Sequence, residues 1–240
     1  MNEPKSISLI FPVYKDKYTV LRVIDKSLKI LKRLKKKYEI IIIDDCCPER
    51  SGQIALDKIK KNKKIKVYFH KKNLGYGAAI RTGLKKSKYE CIYAVDGDGE
   101  FGISFNDLPK ILKEYKKNDL VITYRFKKRY KTTRIMISWV YNLVLRILFN
   151  IKFKDISCGA RLVSKKVLRK INLTTNSPFI GAELAIKSKY AGFNIAEVGI
   201  HSYPNNFRPG SSIVFKNIVL TIRDIIILFF KIFILKDKKN

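Results

Sequence analysis

A chain of 240 residues can build one sizeable domain with some length left over, and its 51 Lys+Arg against 20 Asp+Glu give a formal net charge of +31. Lysines are spread almost everywhere, including residues 32–37, 60–66 and 236–239, so charge leaves three readings open: a nucleic acid, an anionic membrane face with phosphorylated substrates, or a coding bias toward Lys and Ile. The four cysteines exclude two classes: Cys46 and Cys47 are adjacent, which does not suit a disulfide framework, and with Cys91 and Cys158 they offer no zinc-site spacing.

The cysteines fit a reducing compartment, and residues 1–5 carry no apolar signal segment, so the expected location is the cytoplasmic side. Taken in chain order, residues 7–11, 40–43, 65–69, 91–95 and 120–123 are continuous apolar or β-branched runs, the pattern of strands covered on both faces. Between them, residues 20–34, 52–59, 78–84 and 108–115 read as helices. A β-α-β-α-β series predicts an α/β protein with a mostly parallel, doubly wound sheet. The loops after the strands, residues 12–16, 44–48, 73–77 and 96–100, then converge on one edge of that sheet, where open α/β sheets hold ligands.

The last of these loops is the most informative. Asp96, Asp98 and Glu100 stand at every second position after an apolar run and are separated by Gly97 and Gly99. In so basic a chain this alternation suggests a loop that holds a divalent cation, although Asp-Gly pairs also form ordinary solvated turns.

The ordered set Phe11-Pro12-Val13-Tyr14, Ile41-Ile42-Ile43-Asp44-Asp45, Asn73-Leu74-Gly75-Tyr76-Gly77-Ala78-Ala79 and Val95-Asp96-Gly97-Asp98-Gly99-Glu100-Phe101 resembles the family 2 glycosyltransferases of GT-A fold. Asp155-Ile156-Ser157-Cys158-Gly159-Ala160-Arg161 and Asn206-Phe207-Arg208-Pro209-Gly210-Ser211-Ser212 extend the resemblance to the polyprenyl-phosphate glycosyltransferase branch, which includes dolichol phosphate mannose synthase. Two departures stand out: Ala160 replaces the usual aromatic, and Glu100 stands where a Gln is common.

The resemblance implies Mg²⁺ or Mn²⁺ on Asp98, with Asp96 and Glu100 nearby, offsetting charge on a nucleotide diphosphate leaving group. It places Pro12, Tyr14, Asp16, Asp44 and Asp45 at the base and ribose, with Gly75 and Gly77 letting a helix start close to the donor. Helix N-capping is the alternative role for Asp44 and Asp45. Arg125, Arg134 and Ser138 match positions near an acceptor phosphate, and Arg161 and Arg208 would complete a guanidinium cluster suited to phosphate oxygens. Such an acceptor is already anionic and needs no general base. His70 and His201 therefore look dispensable, and Glu183 is the remaining carboxylate to consider, with a helix-face role preferred.

Arg134, Ser138, Asn142 and Arg146 recur every four residues on an otherwise apolar segment, forming a polar stripe that is either its solvated side or part of the acceptor site. Further on, fourteen of the eighteen residues 218–235 are apolar. At ~1.5 Å per residue that helix nearly matches a bilayer core, but the ~+9 kcal/mol cost of Arg223, Asp224 and Lys231 exceeds the roughly −7 kcal/mol from the apolar residues. With Lys216, Arg223 and Lys231 on one narrow face and a basic tail, an amphipathic helix in the membrane interface is expected, and a buried core or dimer helix is the alternative.

The expected organisation is a GT-A domain over residues 1–212 followed by a membrane-associated helical segment over residues 213–240. The expected function is inverting, metal-dependent transfer from a nucleoside diphosphate sugar to a polyprenyl (dolichyl or undecaprenyl) phosphate, a lipid-linked phosphate acceptor, at the cytoplasmic face of an anionic membrane surface. Transfer to a saccharide or glycolipid hydroxyl is the runner-up. No nucleic acid is expected, because the acidic loop would repel a phosphate backbone.

Overall fold

The computed structural model describes residues 3–59, 62–96, 104–126, 132–201 and 215–235. Its strands are β1 (Ser6–Val13), β2 (Lys37–Asp44), β3 (Ile65–Phe69), β4 (Cys91–Ala94), β5 (Leu120–Arg125), β6 (Arg161–Ser164) and β7 (Ile195–Ile200). They form a seven-stranded sheet in the order β3-β2-β1-β4-β6-β5-β7. The helices are α1 (Val20–Arg33), α2 (Ser51–Lys58), α3 (Tyr76–Lys86), α4 (Leu108–Tyr115), α5 (Thr132–Phe149), α6 (Lys165–Lys170), α7 (Ile180–Tyr190) and α8 (Phe215–Phe229), the last continuing as a π-helical stretch, Phe230–Ile234.

The central strands are apolar on both faces because each face meets a helical layer. β3, at the sheet edge, is not covered on both faces as expected and leaves Lys66 and Phe69 exposed. In β1, Ile7, Leu9, Phe11 and Val13 join the cluster that includes Val23, Ile24 and Leu31 of α1 and Leu108 and Ile111 of α4. Ile10 points the other way, into the cluster of Ile80 and Leu84 of α3 with Ala182, Ala185 and Ile186 of α7. The period-2 alternation of a strand makes this division. On α3 the approach is tight, for a Cβ on Gly83 would lie 2.7 Å from Ile43 Cδ1.

Several elements outrun their apolar cores. β1 and β2 pair in parallel from Ser6↔Lys37 to Val13↔Asp44, so backbone pairing carries both strands past residues 7–11 and 40–43. α3 begins at Tyr76, two residues earlier than its apolar pattern, whereas β4 ends at Ala94, one residue before its predicted end. The larger difference is β6, which runs antiparallel to β4 and β5 amid otherwise parallel pairings. Its segment, Arg161–Ser164, is too short to announce itself by periodicity.

Helix α5 settles the question of the polar stripe. Asn142 is buried, and its Oδ1 accepts from the Ile156 amide at 2.9 Å. Arg146 donates to the Phe153 and Lys154 carbonyls at 2.9 and 3.0 Å. Asn142 is thus turned into the protein, Arg134 and Ser138 are half-buried, and Arg146 reaches backbone carbonyls from an exposed position, while Met136, Trp139, Val140 and Ile147 are exposed. On α8 the buried side carries Asp224, Ile225 and Leu228, while Ile222, Ile226 and Ile227 are exposed beside Arg223. Among the described residues, no helix is long and apolar enough to cross a membrane.

Candidate active site

The adjacent order β2-β1-β4 brings the C-terminal ends of three strands together. Pro12 lies within β1, paired with Ile43, and the chain turns just beyond, where the Asp16 carboxylate accepts from the Tyr14 amide at 2.8 Å. At the end of β2, Asp44 accepts from the Cys47 amide at 2.7 Å and from the Gly52 amide, in the first turn of α2, at 2.6 Å. Asp44 is not the N-cap of α2, a position held by Arg50, but from the end of β2 it satisfies one of the amides that open that helix.

Asp45 is committed more fully. Its Oδ1 accepts from the Leu74 amide at 2.9 Å and lies 2.7 Å from His70 Nδ1, and its Oδ2 accepts from the Gly75 amide at 2.8 Å. His70 Nε2 contacts Thr82 Oγ1 at 2.9 Å, tying β3 to α3. His70 is thus a structural link to the glycine-rich loop, a role hidden in the sequence because its partners lie twelve and twenty-five residues away.

Gly75 and Gly77 make room for a neighbouring loop. A Cβ on Gly75, whose φ is +95°, would lie 2.7 Å from the Asn176 carbonyl oxygen, and one on Gly77 would lie 2.5 Å from that of Thr175. The Gly77 amide donates to the Asn176 carbonyl at 2.8 Å, and Arg81 reaches the Thr175 carbonyl at 2.6 Å and Asn176 Oδ1 at 2.7 Å. Behind this loop Glu183 accepts from the Thr174 and Thr175 amides, each at 3.0 Å, and pairs with Lys187 at 3.0 Å. Burial alone would raise the Glu183 carboxyl, but the Lys187 ammonium and those amides outweigh it and hold it below the usual carboxylate range. Glu183 is a loop anchor with its oxygens occupied, not a base.

Past β4, Asp96 Oδ1 accepts from the Tyr76 hydroxyl at 2.5 Å. Its carboxylate fills the space where Gly159 has no side chain, since a Cβ there would lie 2.0 Å from Asp96 Oδ2. Burial pushes the Asp96 carboxyl above its usual range, against the pull of the Tyr76 hydrogen bond and the guanidinium groups of Arg161, Arg125 and Arg134. Four expected site residues thus share one electrostatic neighbourhood. Asp98, Glu100 and Arg208 lie outside the described residues.

The arginines differ in what they hold. Arg125 grips Asp155 through Nε at 2.8 Å and Nη2 at 3.1 Å and reaches Ser157 Oγ at 2.8 Å, where Ser138 Oγ also lies within 3.3 Å. Arg161 is buried against Gly181 and donates to the Ile156 carbonyl at 2.7 Å and the Gly159 carbonyl at 3.3 Å. Both therefore shape the Asp155–Arg161 turn that cradles Asp96. Arg134 sits half-buried in the first turn of α5.

Among the described residues no group of three or more metal-ligating side chains gathers. Asp96, after the end of β4, is the one carboxylate of the acidic pattern that is described, an oxygen donor of the kind a hard divalent cation takes. The C-terminal ends of three parallel strands, an acidic group and clustered guanidinium groups lie where open α/β sheets place their ligands. The sequence pattern of Glycosyl transferase family 2 matches residues 8–172, and the chain belongs to that family.

The chain is 26% identical over 215 residues to a dolichyl-phosphate beta-glucosyltransferase of Dictyostelium discoideum, covering 81% of this chain and 65% of that one. It is 28% identical over 187 residues to an undecaprenyl-phosphate mannosyltransferase of Micrococcus luteus, covering 74% and 72% respectively. The chain thus spans just under two thirds of the Dictyostelium relative's length. In fold it is similar to glucosyl-3-phosphoglycerate synthase from Mycobacterium tuberculosis, solved with Mn²⁺, uridine diphosphate and phosphoglyceric acid, with a TM-score of 0.73 at 15% identity over 95% of this chain and 78% of that one.

Proposed function

We propose that this chain transfers a sugar, with inversion, from a nucleoside diphosphate to a polyprenyl phosphate at the cytoplasmic face of a membrane. The observation that carries this reading is the meeting of Asp96 with Arg125, Arg134 and Arg161 beside a helix whose outward side is apolar. Pro12, Tyr14 and Asp16 would border the donor's base and ribose, and Asp44 and Asp45, whose oxygens already accept from backbone amides, would hold the surrounding loops in place for it. Asp96, Asp98 and Glu100 would hold Mg²⁺ or Mn²⁺, which supplies Lewis-acid stabilisation of the diphosphate leaving group.

Arg134 and Arg208 take the acceptor phosphate, and Arg125 with Ser138 and Arg161 shapes the wall behind it. The acceptor arrives ionised, so these residues need only orient it and neutralise it against the donor. The engagement of Glu183 with Lys187 and two backbone amides supports a reaction without a carboxylate base from α7. The exposed apolar sides of α5 and α8, with Arg223 and the basic tail, support docking in the plane of an anionic bilayer.

The test is a screen of nucleotide sugars with Mg²⁺ or Mn²⁺, offering a short polyprenyl phosphate and a neutral glycolipid as acceptors. Transfer to the phosphate is expected, lost in EDTA and in Asp98→Asn, which keeps the side-chain size but removes the charge. Transfer to the glycolipid hydroxyl alone, or wild-type activity in Asp98→Asn, overturns the reading.

A further inference from the structure

We infer that Tyr76 is a positioning residue for the cation site: its hydroxyl sets the orientation of the Asp96 carboxylate. The inference rests on the proposed function, because it concerns the same acidic loop, but it assigns a role to a residue that neither the acidic pattern nor the arginine cluster contains.

The argument begins with how firmly Tyr76 is held. It is the first residue of α3, and the backbone is pinned on both sides: the Gly75 amide donates to Asp45 Oδ2 at 2.8 Å and the Gly77 amide to the Asn176 carbonyl at 2.8 Å. Asp45 is itself braced by His70. The ring is half-buried and packs against the core cluster that contains Ile80 and Ala94. The phenol is therefore delivered to Asp96 by an already ordered framework.

Asp96 needs that partner. It follows β4 and stands immediately before the acidic loop, with its two oxygens crowded over the α-carbon of Gly159. A carboxylate that accepts from a fixed phenol at 2.5 Å loses freedom about its Cβ–Cγ bond yet keeps lone pairs for a cation or a cation-bound water. Hydrogen bonds behind a metal ligand commonly matter tenfold or more for affinity, because they remove the entropy of orienting the ligand at binding. The same bond couples the start of α3 to Asp96, just beyond β4.

Tyr76→Phe removes one oxygen and keeps the ring. In the full chain, Mn²⁺ is titrated with UDP and with GDP in turn, followed by electron paramagnetic resonance of free Mn²⁺, and nucleotide affinity is measured in EDTA. The expected result is a Mn²⁺ affinity lower by about tenfold, with metal-free nucleotide affinity and melting temperature unchanged. A change in Mn²⁺ affinity below about threefold overturns the role of Tyr76 alone, as does an equal loss in EDTA, which would make Tyr76 a nucleotide contact. Failure of the wild-type chain to bind Mn²⁺ with either nucleotide overturns the proposed function and this inference together.

Discussion

At the scale of single residues, Arg125 is locked to Asp155 while Arg134 stands in the first turn of α5, and the two are expected to respond differently to substitution. Arg125 and Asp155 face each other with side chains 6% and 3% exposed, so neither charge is compensated by solvent. Arg125→Met leaves Asp155 buried without its cation and is expected to lower unfolding free energy by about 3–5 kcal/mol, measured by urea denaturation. Arg134→Ala is expected to weaken use of a polyprenyl phosphate by about 1.5–3 kcal/mol with nucleotide binding intact, and to cost less stability than Arg125→Met. Measuring stability and both affinities for each variant checks the difference, and a common pattern in the two variants contradicts it.

At the scale of elements, the anchoring of the 174–177 loop by α7 sets an acid limit. The Glu183 carboxyl lies below its ordinary value of 4.5 in the folded chain, so the folded state favours the ionised form. The resulting stabilisation is fully present above about pH 4.5 and is lost as pH falls through the folded-state value. Comparing Glu183→Gln with the wild type by denaturation from pH 7 to pH 3 should show a stability gap that is constant down to about pH 5 and then narrows. A gap that widens on acidification would assign the acid transition to other groups.

The same scale explains which side of α5 meets the rest of the chain. A four-residue polar spacing fits either side of a helix, and the choice is made by Asn142 and Arg146 finding backbone partners in residues 153–156. Once those residues engage the backbone there, the apolar remainder has to face outward.

At the scale of the whole molecule, that outward face includes Trp139, the chain's one tryptophan, 63% exposed, and α8 adds Ile222, Ile226 and Phe230. Exposed apolar side chains on these two helices suit the docking face of the proposed function. Vesicles containing anionic lipid are expected to shift Trp139 emission to the blue and to sediment the protein, with both effects weakened at high salt because Coulombic attraction is screened over ~10 Å at 0.1 M. Trp139→Glu should reduce sedimentation without lowering stability, and an emission unchanged by vesicles would exclude α5 from the membrane surface.

The sequence alone determined the α/β class, the parallel series of strands and the convergence of four loops on one edge, because continuous apolar runs at those lengths have to be covered on both sides. It also marked Asp96, the glycine-rich loop and the Asp155–Arg161 turn, since alternating carboxylates and ordered motifs are local signals. Only the tertiary structure decided the reversed β6, the inward side of α5, and the partners of Asp44, Asp45, His70 and Glu183. The role of Tyr76 belongs with these. Each depends on contacts between segments distant in the chain, where a side chain's function is set by which backbone or charged groups the fold brings within hydrogen-bond reach, and residue spacing carries no record of that.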